Sequence, residues 1–164
     1  MDPMAQMRPA GGGPTVMAMP RKLGDVLIDE FFEYIATVTF TASQNQILNI
    51  PIQADAHFLC VSSYMNSNAA TGAGTFAGAC VNRGGSLVQL TDGGTQRALS
   101  SAQVPANTLF GSAQRPFIWP FRKIFRANTS ITLNVTDTTA GAQVVDYVFG
   151  GFKIPIGSAP EFRL

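Results

Sequence analysis

From Tyr34 onward, apolar and polar residues alternate along much of the chain, which is the pattern of β-strands with one buried face. The clearest example is Ile131–Thr136, where Ile, Leu and Val alternate strictly with Thr and Asn. After a turn at Thr139–Gly141, the run Val145–Phe149 continues the period of two on a returning strand. The adjacent glycines at 150 and 151 predict a bulge or a close approach of two backbones.

The first half of the domain shows the same alternation in shorter pieces that are separated by polar turns. Strands are predicted at Tyr34–Phe40, Leu48–Ile52 and His57–Tyr64. The stretch Met65–Cys80 is rich in Asn, Ala, Thr and Gly, so it predicts either a long loop or a weak edge strand. Ser86–Thr91 and Thr95–Leu99 flank Asp92-Gly-Gly, which predicts a β-hairpin.

Together these segments amount to about eight short strands with turn signals between them, and no convincing helix follows Tyr34. Such a series is typical of an all-β fold. We therefore expect a single antiparallel β-sandwich, jelly-roll-like, over residues 34–156, followed by a C-terminal tail at 157–164. At 164 residues, one domain of this kind can bury enough apolar surface for a stable core.

Residues 1–33 have a different composition and are expected to form a flexible, extended N-terminal arm. The first 22 residues contain four prolines, a Gly-Gly-Gly run and five of the six methionines, without a usable period. Over residues 23–33 the apolar positions recur at helical spacing, which allows a short amphipathic helix. The alternative is an extended segment that leads into the first strand, because Phe31 and Phe32 are adjacent and β-branched residues follow them.

Charged side chains make up only 13% of the sequence, and the formal net charge is +1. An ordinary soluble domain has roughly 25%. Between Glu33 and Arg83 the only charged residue is Asp55, although Gln, Asn, Ser and Thr keep the segment polar. A surface that is poor in charge and rich in amides suits permanent contact with other proteins, because burying an amide costs far less than burying an ion. The alternative interpretation is a bland surface without a binding role.

Residues that carry catalysis or bind metals are sparse in this sequence. His57, the only histidine, lies within a predicted strand, where we expect a hydrogen bond to a neighbour and no catalytic role. The acidic pairs Asp29–Glu30 and Asp137–Asp146 indicate a solvated face and a hairpin, and no group of residues has the spacing of a metal site. We therefore predict no enzyme activity, no metal, no cofactor and no small-molecule substrate.

Gly72–Ala77 matches the Gly-x-Gly-x-x-Gly/Ala pattern of dinucleotide-binding loops, and Asp92 follows about twenty residues later. That motif requires a helix after the glycine turn, so that the helix N-terminus faces the pyrophosphate. Here Gly78, Asn82 and the Gly84–Gly85 pair follow, and they cannot sustain such a helix. The match is therefore rejected as a cofactor site.

The cellular setting is predicted from the cysteines and from the apolar runs. Cys60 and Cys80 are the only cysteines, and they fit reduced, structural thiols better than a disulfide framework. No secretory leader is recognisable, and no apolar run approaches the roughly 20 residues of a membrane span. We expect a non-secreted protein without a membrane segment.

The segment Arg115–Arg126 is the most distinctive local feature, because its basic residues are interleaved with Phe117, Trp119, Phe121 and Phe125. Aromatic and arginine side chains are preferred anchors of protein interfaces, so a protein-binding surface is the first interpretation. Packing at a sheet edge is the second, since two prolines confine the segment to an edge or a loop. Stacking on single-stranded nucleic acid is the third, and the near-neutral charge of the chain disfavours it.

Four parts of the second half of the chain resemble small virion structural proteins of tailed bacteriophages. They are Leu109–Phe117, Pro120–Phe125, Asn128–Thr138 and Val148–Ile154. The segment Asp55–Leu59 resembles an earlier strand of the same group. The likeness covers about half of the chain, and the N-terminal arm departs from the pattern.

This resemblance implies a jelly-roll-like capsid decoration or cement protein on the phage particle, assembled in the host cytoplasm and trimeric at local three-fold positions of the capsid. Its implied partners are the major capsid protein and copies of itself, with residues 1–33 reaching a neighbour. The candidate contact residues are Phe31, Phe32, Arg115, Phe117, Trp119, Phe121, Arg122 and Arg126. Two alternatives stay open: a tail, baseplate or connector component, and a carbohydrate-binding or enzymatic β-sandwich.

Overall fold

The computed structural model describes residues 21–23, 26–28, 30–41, 43–69, 85–139 and 141–157, and this part of the chain contains eleven strands. Strands β1 (Arg21–Leu23) and β2 (Val26–Ile28) form a two-stranded hairpin. The remaining strands are β3 (Phe31–Phe40), β4 (Asn45–Pro51), β5 (Ala56–Ala69), β6 (Ser86–Asp92), β7 (Arg97–Ala98), β8 (Val104–Pro105), β9 (Phe117–Phe125), β10 (Ser130–Asp137) and β11 (Gln143–Pro155). A single 3-10 turn, Ala106–Thr108, follows β8 in this part of the chain.

Two antiparallel sheets pack against each other, which confirms the predicted all-β sandwich. The five-stranded sheet has the order β4-β10-β6-β7, with β8 also paired to β6, and the four-stranded sheet has the order β3-β11-β5-β9. From β3 to β11 the chain passes repeatedly from one sheet to the other, except that β6, β7 and β8 lie in the same sheet. The finer jelly-roll-like description stays a prediction.

Strict alternation in the strands places one set of side chains in the core. On β10, Ile131, Leu133 and Val135 are fully buried, and Val88 and Leu90 of the neighbouring β6 are buried beside them. Each such side chain contributes about 1.5–3 kcal/mol by its removal from water. Aromatic rings fill the space between the sheets, as in the contact between Tyr34 and Phe58, whose ring centroids lie 4.8 Å apart.

The relation between β10 and β11 differs from the predicted hairpin. Strand β11 follows β10 in the chain, but β10 lies in the five-stranded sheet and β11 lies in the four-stranded sheet. The reason is that both strands carry an apolar face, and the two faces bury more surface by packing across the core. The period of two defines which side of a strand is buried, but it does not identify the neighbouring strand.

Two other local predictions are confirmed. Strands β6 and β7 form a hairpin in which Asp92 lies opposite Arg97. The pairing of β11 with β5 shifts register between Gly150 and Gly151, as expected for a bulge. A Cβ atom at Gly151 would lie 2.1 Å from the carbonyl oxygen of Leu59, so glycine is required by the close approach of the two backbones.

The N-terminal region and the middle of the chain depart from the sequence predictions. The helix considered for residues 23–33 is wrong, because residues 21–23 and 26–28 are strands and β3 begins at Phe31. A strand also places the adjacent Phe31 and Phe32 on opposite faces of the sheet. For the stretch that begins at Met65, the sequence left a long loop and a weak edge strand as alternatives. In the structure strand β5 continues to Ala69, and Met65 is buried in the core. Residues 1–20, 70–84 and 158–164, with Cys80 and the rejected glycine motif, lie outside the described residues.

Candidate protein-binding surface

Strand β9 forms one edge of the four-stranded sheet, and the middle section of β9 is not paired with the neighbouring strand β5. Residues 117–118 pair with Ser62 and Ser63 of β5, and residues 123–125 pair with residues 58–60. Between these two sections Trp119–Arg122 have no partner on β5, and we call this segment the β9 bulge. Pro120 has no backbone N–H for the ladder, so its presence at this point favours departure from the sheet.

The base of the β9 bulge is fixed by hydrogen bonds. The indole Nε1–H of Trp119 donates to the hydroxyl oxygen of Ser63 at 3.0 Å, and that buried hydroxyl donates to the carbonyl oxygen of Leu109 at 2.5 Å. Trp119 itself is half-buried and packs against the core. The exposed tip of the bulge is therefore Pro120, Phe121 and Arg122, and the Phe121 side chain is 81% exposed.

The segment that precedes β9 pairs with β5 just beyond the start of β9, next to the Ser63 residue that holds Trp119. The N–H of Gly111 donates to the carbonyl oxygen of Ser63 at 3.2 Å, and the N–H of Met65 donates to the carbonyl oxygen of Gly111 at 2.9 Å. A Cβ atom at Gly111 would lie 2.0 Å from the carbonyl oxygen of Arg115, a distance that no side chain tolerates. Glycine at this position therefore allows the support beneath the bulge to form.

The face of the four-stranded sheet that points away from the core carries apolar side chains across all four strands. Phe31, Phe152, Leu59 and Ile124 lie in register on β3, β11, β5 and β9. The rings of Phe31 and Phe152 meet edge to face, with centroids 5.6 Å apart. A Cβ atom at Gly150 would lie 3.2 Å from the Phe31 ring, so glycine here leaves room for that ring on the sheet.

This surface continues beyond the first row of side chains. Ile118 on β9 and Ile35 on β3 are exposed, whereas Leu59 on β5 and Val148 on β11 are buried although they belong to the outer side. We call these residues the outer apolar face: Phe31, Ile35, Leu59, Ile118, Ile124, Val148 and Phe152. Four of the seven exposed large apolar residues in the described part of the chain belong to the outer apolar face or to the β9 bulge. Such a concentration on one side of a small domain is typical of a surface that binds another molecule.

Opposite charges lie on the two sides of this surface. At the β9 edge, Arg115, Arg122 and Arg126 are exposed, and none of them forms an ion pair with another described residue. On β3, Glu33 is exposed between Phe31 and Ile35. Its carboxylate accepts a hydrogen bond from the Tyr64 hydroxyl, at 3.3 and 3.4 Å from its two oxygens.

An ion pair ties β9 to the other sheet. The Lys123 ammonium lies 2.5 Å from a carboxylate oxygen of Asp92, whose side chain is 3% exposed, against 25% for Lys123. Burial by itself raises the pKa of the Asp92 carboxyl. Hydrogen bonds from Lys123 and the Gly94 N–H, with the charge of Lys123, outweigh this effect and hold the pKa of Asp92 below its ordinary value.

The eight contact residues predicted from the sequence divide between the surface and the core. Phe31, Arg115, Phe121, Arg122 and Arg126 are exposed. The other three, Phe32, Phe117 and Trp119, are half-buried. The ring of Phe32 packs against the core beneath the Lys153 ammonium, which lies 4.4 Å from the ring centroid. The role of the exposed residues in binding stays a prediction.

Sequence reasoning missed Ile35, Ile118 and Glu33. On β3 the odd-numbered positions include Phe31, Glu33 and Ile35, opposite the buried Tyr34 and Val38. An apolar residue on both faces of one strand is a signal for a second packing surface, but it can be read only when the strand boundaries are known.

The remaining candidate groups are occupied within the fold. The His57 side chain accepts a hydrogen bond from the Ala127 N–H at its Nδ1 atom, at 3.0 Å. Burial raises the pKa of the Cys60 thiol to about 12. In the described residues, no group of three or more His, Cys, Asp or Glu side chains is arranged to hold a metal ion. Among the same residues, no helix has the length and apolarity that a membrane crossing requires.

A scan against protein-family models found no match for this chain, and searches of curated proteins and of solved structures found none either. The functional assignment therefore depends on the residues themselves and on the surface just described.

Proposed function

We propose that this protein is a virion structural protein of a tailed bacteriophage, which binds the outside of the capsid and stabilises it as a decoration or cement protein. The proposed partners are the major capsid protein and further copies of the same chain. In this proposal the protein acts by binding and has no catalytic step, cofactor, nucleic-acid or membrane partner.

The observation that carries the proposal is the exposed β9 bulge on a rigid sandwich. Phe121 and Arg122 extend from a base that is fixed by Trp119 and Ser63, so little conformational freedom is lost when they enter a partner. Exposed aromatic and arginine side chains on a fixed support are the usual anchors of protein interfaces. The sparse charge of the chain, 13% of its residues, also favours a surface that is covered in its working state.

The proposed mechanism is the addition of many modest contacts. Each copy would contribute one bulge and one outer apolar face, and repetition over a symmetric shell would raise the total affinity well above that of a single contact. Stabilisation of the capsid against the pressure of packaged DNA then follows from the number of contacts, and it requires no exceptionally strong interface.

The proposal is tested with phage particles that are made without the gene for this chain. The purified full chain is added back, its position is determined by electron microscopy with a gold-labelled antibody, and the temperature of DNA release is measured. We expect label on the heads and a higher release temperature. The variant Phe121→Ser should bind more weakly, whereas the matched variant Ile47→Ser, on the other sheet, should bind like the original protein.

Three results would contradict the proposal. Label on the tails would indicate a tail, baseplate or connector component. Absence of the protein from wild-type particles would exclude a virion role. Saturable binding to an oligosaccharide, without binding to particles, would indicate a carbohydrate-binding sandwich.

A further inference from the structure

We infer that the outer apolar face binds a second copy of this chain head to tail, with the β9 bulge of one copy against the β3 side of the outer apolar face of the next. The proposed function names copies of the chain as partners, and this inference specifies which two surfaces meet. The contact itself requires no capsid, and only the expected number of three copies depends on the proposed function.

The two edges of the four-stranded sheet carry complementary charges. The β9 edge carries the exposed Arg115, Arg122 and Arg126, whereas the described charged residues on the outer side of β3 and β11 are Glu33 and Asp146. These edges are separated by two intervening strands, or about 14 Å across the sheet. A partner that satisfies both edges needs an acidic apolar side and a basic aromatic side, and another copy of the chain provides both.

The β9 bulge and the β3 side of the outer apolar face are also complementary in shape and polarity. Phe121 is 81% exposed and projects from the sheet edge, while Phe31 and Ile35 present a broad apolar area beside Glu33. An arginine next to a projecting aromatic ring can meet Glu33 while the ring covers Phe31 and Ile35. This pairing removes apolar area from water and places opposite charges together.

Direct pairing between the β9 edge of one copy and the β3 edge of the next is disfavoured. On β9, Pro120 has no N–H to donate and the bulge interrupts the regular edge. The β3 edge is regular over its 10 residues, but the irregular β9 edge cannot pair with it along its length, so association through side chains is favoured.

The geometry of this contact determines the type of assembly. The two surfaces are different and lie at opposite edges of one sheet, so the contact is heterologous. A heterologous contact produces a closed ring when the rotation between copies closes, and a filament when it does not. We expect a closed ring of three copies, the number that the resemblance to capsid decoration proteins implies.

The test measures the solution mass of the full chain by sedimentation velocity over a range of concentrations. Phe121→Ser and Ile35→Ser should each raise the dissociation constant of the assembly roughly 10- to 30-fold, as for an anchor residue. Ile47→Ser is the matched control, because Ile47 and Ile35 are similarly exposed, at 65% and 58%, but lie on different sheets. The control should assemble like the original chain.

Charge reversal distinguishes a specific head-to-tail contact from nonspecific association. We expect Arg122→Glu with Arg126→Glu to weaken assembly, and Glu33→Arg with Asp146→Arg to weaken it similarly. All four substitutions in one chain should restore assembly, because each reversed edge then meets a reversed partner. Circular dichroism of every variant verifies that the sandwich is intact.

The inference is overturned if the original chain stays monomeric at high concentration, or if the chain with four substitutions assembles no better than either pair alone. An equal effect of Ile47→Ser and Ile35→Ser would also overturn it. A monomer that nevertheless binds phage heads would refute the head-to-tail contact and leave the proposed function in place. A trimer that binds no particle would support the contact and refute the proposed function.

Discussion

The ion pair between Lys123 and Asp92 joins the two sheets beside the β9 bulge, and replacing Lys123 by methionine should measurably destabilise the protein. The Asp92 side chain is 3% exposed and the Lys123 side chain is 25% exposed. Lys123→Met keeps most of the side-chain volume but leaves the carboxylate buried without its cation.

The expected loss in the free energy of unfolding of Lys123→Met lies between the values for a fully buried and for an exposed ion pair. Breaking a fully buried ion pair costs about 3–5 kcal/mol, whereas an exposed pair contributes about 0–1 kcal/mol. The carboxylate keeps the hydrogen bond from the Gly94 N–H at 2.9 Å, and Lys123 is partly exposed. We therefore expect a decrease of about 2–3 kcal/mol in the free energy of unfolding, or about 5–10 °C in Tm for a domain of this size.

The pH dependence provides a second check with a defined sign. The pKa of Asp92 is lowered in the folded protein, so this group stabilises the fold above its unfolded pKa of about 3.9 and the contribution is lost as the pH falls through the folded pKa. Without Lys123, burial acts unopposed by the cation and the carboxyl becomes protonated at a higher pH. The difference between the original chain and Lys123→Met should therefore decrease from about pH 7 to about pH 4.

Urea unfolding of the original chain, Lys123→Met, Asp92→Asn and the double variant measures the coupling between the two residues. The double variant should be more stable than Lys123→Met, because it contains no buried unpaired charge. A loss below about 0.5 kcal/mol in Lys123→Met, or a loss that is independent of pH, would refute the buried ion pair as the cause.

Two further predictions concern the support of the bulge and the core. Gly111→Ala should destabilise the fold by about 2–4 kcal/mol in urea unfolding, because the added Cβ atom would lie 2.0 Å from the Arg115 carbonyl oxygen. Gly141→Ala is the matched control, because a Cβ atom at Gly141 would have no heavy atom within 4 Å. Equal effects of the two substitutions would contradict the reasoning. In a Cys80→Ser background, Cys60 should react with a thiol reagent only at the rate of unfolding, because burial raises the pKa of this thiol to about 12; rapid reaction of the folded protein near neutral pH would contradict it.

The sequence by itself determined the fold class and many of the local features. Alternation along Ile131–Thr136 correctly identified a strand and its buried face, and the glycines at 150 and 151 correctly identified a bulge. These predictions succeeded because they depend on local quantities, namely the period of two in a strand and the absence of a Cβ atom in glycine. The unusual composition of Arg115–Arg126 also singled out the segment that forms the β9 edge, and its role in binding stays a prediction.

Only the tertiary structure decided which strands are neighbours and, as a result, which side chains share a surface. Phe31 and Ile118 are 87 positions apart in the sequence, but the strand order places them on one side of one sheet. Lys123 and Asp92 are separated by 31 positions, and no periodic pattern connects them. Strand pairing is a long-range choice that depends on the burial of all the apolar faces together, so local periodicity defines the faces while the whole fold determines which faces meet.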